Sequence, residues 1–420
     1  MSNESVDTLV VGGGQAGIAM SEHLSASSIP HVVLERHRIA ERWRSERWDS
    51  LVANGPAWHD CFPSMAFPDT SPDGFAPKTQ VVDYLVAYAD KIKAPLRTGV
   101  EVKEVVPNPN GAGFQATTSH GVIEANNVVA ATGPFQRPIK PLTVPESVGI
   151  HQLHSTEYRN PTALPDGAVL VVGAGSSGAQ IANELMLNGR NVYLSIGPHD
   201  RPPRRYRGRD YVWWLGVLGK WSAVAREPGT EHVTISVSGA YGGKTVEFRQ
   251  FAHQGMTLLG RTVGFADGKL EFADDLNKNL KRGDANYLSV LDEADEYVRR
   301  NGIDLPEEPE ARVIAADPAC VTDPIRALDL EAAGIKSIIW ATGFTQDFSW
   351  LKVNAFDSDG LPKHIRGVSN EPGIYFLGLP WLASRASSFL YGVWFDAKYI
   401  ADQILTQRRY RAYQPETTPR

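Results

Sequence analysis

Cysteine is almost missing from this chain. Of 420 residues only Cys61 and Cys320 carry a thiol, far apart and outside any C-x-x-C pair. That excludes the paired-thiol chemistry of disulfide reductases and fits a reducing compartment. Each thiol reads as a small buried apolar group. Long hydrophobic runs are missing too: the most apolar stretches are broken by glycine or charge well short of a bilayer crossing, so no membrane span is expected. A basic excess is absent, and with a formal net charge of −6 the chain lacks the positive surface that nucleic acid binding calls for. Metal-ligand clusters are absent as well. His151 and His154 stand at a helical ligand spacing, but no cysteine or carboxylate group accompanies them, and no metal is expected. The opening MSNESVDTLVV leads straight into an apolar strand pattern and leaves no room for a signal peptide, which points to a cytoplasmic protein.

What the chain does have is a glycine pattern written twice. Residues 8–24 read TLVVGGGQAGIAMSEHL, and residues 169–185 read VLVVGAGSSGAQIANEL. Each copy opens on a β-branched run that reads as a buried parallel strand. Each continues as G-x-G-x-x-G, through Gly12, Gly14 and Gly17 in one and Gly173, Gly175 and Gly178 in the other, and then turns helical. In that setting the first glycine makes the tight turn, the second lets backbone approach a pyrophosphate, and the third lets helix and strand pack closely. The phosphates then sit at the positive end of the helix. A glycine-rich turn without a ligand is the plain alternative for one copy. Two copies in the same strand–turn–helix setting point to two dinucleotide sites.

The copies differ where ligand identity is decided. The strand after the first helix ends at Glu35, whose carboxylate suits the hydroxyls of an adenosine ribose; the strand after the second ends at Ser195 and is followed by a loop carrying Arg201, Arg204 and Arg205. A carboxylate would repel a 2′-phosphate, whereas a serine with arginines would hold one. The first site therefore suits FAD and the second NADPH, unless the arginines are merely a solvated loop. The candidate cofactor-binding residues are Gly12, Gly14, Gln15, Ala16, Gly17, Glu35 and Arg36 on the first side, and Gly173, Gly175, Ser176, Ser177, Gly178, Ser195, Arg204 and Arg205 on the second.

Along the chain, 6–36 and 168–196 read as β-α-β units and 37–77 as long loop. A helix is expected over 79–90, strands over 99–106, 114–118 and 127–133, a hairpin over 232–250, an amphipathic helix over 288–300 and a strand over 335–343. The segments VVAATGPF (128–135) and IIWATGFT (338–345) form a second repeated pair, read as strands ending in a glycine turn where the chain passes between domains. The expected fold is α/β, with two Rossmann-like dinucleotide-binding domains in a glutathione-reductase-like FAD/NAD(P) arrangement. The NADPH domain (155–325) is inserted between the two parts of the FAD domain (1–154 and 326–420).

With both fingerprints, both AlaThrGly segments, ERWRSERWDSL (41–51) and HSTEY (154–158), the chain resembles class B flavoprotein monooxygenases, the flavin-containing and YUCCA-like enzymes, over nearly its whole length. HSTEY resembles the end of that family's F-x-G-x-x-x-H-S-x-x-Y/F signature, with Val148 and Ile150 where the aromatic and the glycine stand. A tyrosine at 158 rather than a tryptophan makes Baeyer–Villiger chemistry the less favoured branch. The resemblance implies that Trp43, Trp48, Val102, Thr132 and Gly133 line the flavin, that Ser155 lies in the linker between domains, and that 373–379 and 387–393 face the flavin ring. It implies that Asn54 sits beside the reactive flavin edge as the candidate catalytic group, its amide able to donate and accept without bringing charge; an asparagine before glycine is otherwise a turn former. The implied reaction is hydride transfer from NADPH to FAD, formation of a C4a-hydroperoxyflavin with O2, and oxygen transfer to a small apolar or aromatic substrate at nitrogen, sulfur or an activated carbon. A flavin reductase or dehydrogenase that inserts no oxygen, and a regulatory flavoprotein, are the alternatives, and a homodimer is compatible with the sequence. The aromatic cluster 210–221 reads as interface packing or pocket lining, His59–Asp60 as a candidate acid–base pair, and 407–414 as a frayed terminus.

Overall fold

The computed structural model describes residues 4–109, 111–224 and 234–414. Two parallel sheets organise them, each built on one glycine turn. In the first, Leu96–Thr98, His31–Glu35, Glu4–Val11, Gly121–Ala130 and Ile374–Phe376 lie side by side and parallel, and the short antiparallel strands Val368–Ser369 and His364–Ile365 extend one edge. Val102–Pro107 and Phe114–Thr118 form an antiparallel meander attached to Gly121–Ala130. The second sheet runs Thr257–Leu259, Val192–Ser195, Ala168–Val172, Ile335–Trp340, His151–His154, all parallel. Parallel strands covered on both faces need continuous apolar runs, and Ala168–Val172 is buried at every residue.

The two sequence repeats turn out to be one device. Ala131 donates its N–H to Val11 O at 2.9 Å in the first sheet, and Ala341 donates to Val172 O at 2.8 Å in the second. Each AlaThrGly segment thus lies directly beside the turn of its own fingerprint. At Gly12, with φ +117°, a Cβ would fall 2.5 Å from Ala131 O; at Gly173, with φ +106°, it would fall 2.5 Å from Ala341 O. The crossover strand needs that glycine, which is why the motifs recur together.

This arrangement corrects several expectations. Ile335–Trp340 belongs to the second sheet, so sheet membership places the insertion at 151–340 rather than 155–325. The two connections between sheets pair with each other, Arg137–Pro138 against Phe344–Thr345. His151 and His154 lie on a strand, where residues three apart face opposite sides. The expected hairpin begins at residues 232 and 233, outside the described residues, and its remainder forms no strand pair. Residues 234–238 lie across the second glycine turn, where Ser236 Oγ donates to Ala174 O and Ser176 Oγ donates to Ile235 O. Tyr241 and Gly242 then take left-handed backbone, and Glu247 caps the short helix Phe248–His253 by accepting from Arg249 N. Polar alternation here marks side chains answering a neighbouring backbone, not a two-faced strand. The helix expected over 288–300 is the second half of Leu276–Asn301. The expected frayed tail is solvated but helical to Ala412, continuing the helix Leu390–Ala412, which docks on Gln15–Ala26 near its start: Trp394 Nε1 donates to Glu22 Oε2 at 2.6 Å, and the Trp394 indole meets the His23 ring edge-on at 4.3 Å.

His199, just past the second sheet, is fully buried; its Nδ1 lies 3.0 Å from Gly197 O, and its Nε2 has no partner. Burial pushes its pKa down to about 4; the Gly197 carbonyl and Asp284 oppose this, and Arg201 and Arg282 add to it. The unfolded ring takes up a proton below about pH 6.5, the folded one only near 4. The stability of the neutral buried ring is thus complete above pH 6.5 and is lost as pH falls toward 4, by about 3 kcal/mol. In urea unfolding measured across that window, His199→Gln should flatten the pH dependence; an unchanged slope would assign the acid sensitivity elsewhere.

Candidate functional site

The carboxyl ends of both sheets open onto one cavity of about 1540 Å³. Of the residues expected at the cofactors, Gly12, Gly14, Gln15, Ala16, Glu35, Arg36, Trp43, Trp48, Asn54, Val102, Thr132, Gly133, Ser155, Gly173, Gly175, Ser176, Ser177 and Gly178 line it. The fold therefore brings both glycine turns, far apart in sequence, to one space. Gly17, Ser195, Arg204 and Arg205 do not line it.

The first turn has the form an anionic ligand needs. The helix Gln15–Ala26 starts at Gly14 with no side-chain cap and no acidic residue in its first turn, which leaves its free N–H groups and dipole to a ligand. A Cβ at Gly14 would meet no protein atom within 4 Å, so space lies beside it. Glu35 holds its position through both oxygens, with Gly13 N donating to Oε2 at 2.8 Å and His37 N to Oε1 at 2.9 Å. The second turn repeats the uncapped start at Gly175. Gly17, behind the cavity, and Gly178, at its wall, each let a helix press on the turn before it: a Cβ would fall 1.9 Å from Gly12 O or 1.8 Å from Gly173 O.

Asn54 sits where the two halves meet. Gln180, on the helix Ser176–Leu187 of the second half, donates its Nε2 to Asn54 Oδ1 at 2.8 Å and to Val237 O at 3.1 Å. Among the described residues Asn54 Nδ2 has no hydrogen-bond partner, and Asn54 lines the cavity. Asp60, also on the wall, accepts from Gly55 N at 3.0 Å and lies 3.0 Å from His59 Nδ1; the His59 ring packs 4.9 Å from Trp221 and 4.4 Å from Tyr391. Across the cavity lie Gly378, Leu379, Ser388, Phe389 and Leu390, with Leu390 starting the C-terminal helix. His154 ties the linker to the second AlaThrGly segment, its Nδ1 3.0 Å from Thr156 Oγ1 and its Nε2 3.1 Å from Gly343 O; burial lowers its pKa.

The sequence matches the pyridine nucleotide-disulphide oxidoreductase family model over residues 9–213. It is 34% identical over 404 residues to the "uncharacterized oxidoreductase CzcO-like" protein of Geobacillus kaustophilus, covering 95% of this chain and 98% of that one. It is 24% identical over 427 residues to a probable indole-3-pyruvate monooxygenase, YUCCA3, of Arabidopsis thaliana, covering 98% and 89%. The fold is similar to that of the flavin-containing monooxygenase from Stenotrophomonas maltophilia, with a TM-score of 0.66 at 20% identity over 96% of this chain and 99% of that one. The chain belongs to the family of CzcO-like oxidoreductases.

It is an oxidoreductase with FAD and NADPH as cofactors. The uncapped first turn has open space beside Gly14 for an anionic ligand, whereas residues 234–238 lie against the second turn, with Thr234 Cγ2 3.2 Å from where a Gly175 Cβ would stand. The disulphide chemistry in the matched model's description has no counterpart here: Cys61 and Cys320 are both free, and they pack at the edges of different cores. Among the described residues no helix is long and apolar enough to cross a membrane, and no cluster of His, Cys, Asp or Glu is placed to hold a metal.

The residues expected to read the 2′-phosphate do not line this cavity. Gly12 N bonds to Leu34 O, and Gly173 N bonds to Ser195 O. Ser195 is therefore the counterpart of Leu34, and Ile196 that of Glu35, one residue on from the alignment expected by strand ends. Ser195 Oγ is buried and donates to Gly260 O at 2.9 Å. Arg204 is buried with Asp210, donating its Nε to Oδ2 at 2.9 Å and its Nη1 to Asn54 O at 2.6 Å. It is a strut behind Asn54. Arg205 is exposed and lines a separate depression of about 310 Å³ with Asp73 and Tyr241. Arg201 is bound to Glu247 at 3.0 Å and Asp284 at 2.9 Å. The aromatic cluster also divides: Trp213 and Trp214 pack with Tyr206 and the helix Leu276–Asn301, and only Trp221 approaches the site, through His59. Gln180 was missed by sequence reasoning; it shares its helix face with the buried Glu184, so nothing in the sequence set it apart.

Proposed function

We propose that this protein is an NADPH-dependent flavin monooxygenase that oxygenates a small apolar or aromatic molecule at nitrogen, sulfur or an activated carbon. One observation carries the reading: both dinucleotide turns share one cavity, and at their junction stands an uncharged amide, Asn54, held by Gln180 with its donor free. Bound FAD supplies the redox chemistry, taking a hydride from NADPH and passing electrons to O2. The chain's own part is to hold the two cofactors against each other, to present Asn54 Nδ2 at the meeting point, and to keep water out with an apolar wall including Trp43, Trp48 and Phe389. The YUCCA3 relative is named for an indole carrying a 2-oxo acid, which supports an aromatic substrate. The absence of a dithiol speaks against a disulfide reductase.

The test is rapid mixing of anaerobically NADPH-reduced holoprotein with oxygenated buffer. A transient flavin absorbance belonging to neither the reduced nor the oxidised form, lasting while NADP⁺ is bound, is the expected result. Indole-3-pyruvate and simple amines and sulfides can then be screened for faster decay and for ¹⁸O taken from ¹⁸O2. Immediate return to oxidised flavin with peroxide release, and no ¹⁸O in any product, would favour a reductase.

A further inference from the structure

The cavity wall past the second strand raises a question that the expected arginines do not answer: what receives the 2′-phosphate of NADPH? Arg201 and Arg204 are consumed in buried ion pairs, and Arg205 opens elsewhere. We propose that Arg261 is the residue that reads this phosphate and selects NADPH over NADH.

Topology brings Arg261 to the place. Thr257–Leu259 is the edge strand beside Val192–Ser195, with Leu259 opposite Ser195, and Ile196 N donates to Leu259 O at 2.9 Å. The two strands end together, so the residues after each emerge side by side: Ile196, Gly197 and Pro198 from one, Gly260 and Arg261 from the other. Gly197 and Pro198 line the cavity. A Cβ at Gly197 would lie 4.0 Å from both Cγ and Cδ of Arg261, so the arginine stem runs alongside the glycine backbone. In the first half the corresponding corner carries Glu35; here it carries the uncharged Ile196, and no carboxylate on that strand end opposes a phosphate.

Arg261 stands beside the cavity wall rather than in it; its side chain is 63% exposed, and its loose ion pair with Asp275, Nε to Oδ2 at 3.8 Å, is too long for a hydrogen bond. Asp275 uses its Oδ1 to accept the Arg261 backbone N–H at 2.9 Å, which fixes the turn and leaves the side chain free to reorient. A planar fork matches a phosphate dianion with two parallel N–H donors.

The experiment uses FAD-loaded protein and calorimetric titration with adenosine 2′,5′-bisphosphate and with 5′-AMP, which differ only in the 2′-phosphate. It requires neither oxygen insertion nor a known substrate, so its outcome is separate from that of the proposed function. Wild-type protein should prefer the bisphosphate. Arg261→Gln should weaken bisphosphate binding roughly tenfold to a hundredfold and leave 5′-AMP unchanged. Arg261→Lys should retain part of the preference, and Arg205→Gln all of it. The proposal is overturned by a preference that survives Arg261→Gln, by equal loss for both ligands, by loss in Arg205→Gln instead, or by a wild-type protein with no preference.

Discussion

Replacing Gly17 with alanine should give a protein that purifies without yellow colour, while the same change at Gly178 should leave the colour and remove the response to NADPH. A Cβ at Gly17 would lie 1.9 Å from Gly12 O, and one at Gly178 would lie 1.8 Å from Gly173 O. Both obstacles are backbone oxygens inside the tight turn, not the far ends of flexible side chains. The helix must lift from its strand, and the first-turn N–H groups that would face a pyrophosphate move with it. Overpacking of this kind costs about 1–3 kcal/mol in stability, and the displacement removes ligand geometry outright, so binding should suffer more than folding. In Gly17→Ala the flavin released on heating should fall to a small fraction of the protein. In Gly178→Ala flavin content should hold, and anaerobic reduction by NADPH should slow at least about a hundredfold, because misplacement by an ångström carries penalties of that order. Full flavin in Gly17→Ala would move FAD away from the first turn.

The same geometry explains why so much of this molecule was legible in its sequence. A strand, a glycine turn and a helix are local, and the turn's glycines leave a spacing that nothing else needs. The link between Gly12 and Ala131 is not local: the sequence showed only that AlaThrGly recurs, and the structure supplies the reason, the same close approach made twice. Legibility failed where a residue's role depends on direction. Ser195 was taken as the counterpart of Glu35, but the strand ending there is one residue shorter in register, and its hydroxyl turns inward to Gly260 O. Arg204 and Arg205 adjoin in sequence and part in space: Asp210 draws one into the interior, and the other stays outside. Charge near a phosphate site therefore gave the chemistry without the residue. Arg261, 66 positions after Ser195, is brought beside it only by the pairing of two strand ends. The polar alternation over 234–238 misled in the same way, since its hydroxyls serve the neighbouring turn.

Asn54→Asp should uncouple the enzyme, oxidising NADPH but releasing peroxide in place of product. The substitution keeps the size of the side chain and keeps an oxygen to accept from Gln180 Nε2, now at 2.8 Å on Asn54 Oδ1. It removes the side chain's donor, Nδ2, and it adds a negative charge to a wall that already carries Asp60. Removing a donor aimed at developing charge costs on the order of 10² to 10³ in rate, so product formed per NADPH oxidised should fall by about that much. Asn54→Ala should fall by a similar factor, since it loses the same donor. The fold should tolerate both, because Arg204 holds the backbone carbonyl of residue 54 rather than its side chain. Gln180→Ala tests positioning alone: the amide stays but can rotate, and a loss of only about tenfold or less is expected, one charge-neutral hydrogen bond being worth about 1 kcal/mol. The time reduced holoprotein takes to return to the oxidised form after meeting O2 reads these effects without the native substrate; peroxide released per NADPH reads them in the presence of one that is oxygenated. If Asn54→Asp left both unchanged while Gln180→Ala disturbed them, the amide would be a strut between the two halves, and the hydrogen bond to the cofactors would have to come from another lining residue, such as Ser388 before the C-terminal helix.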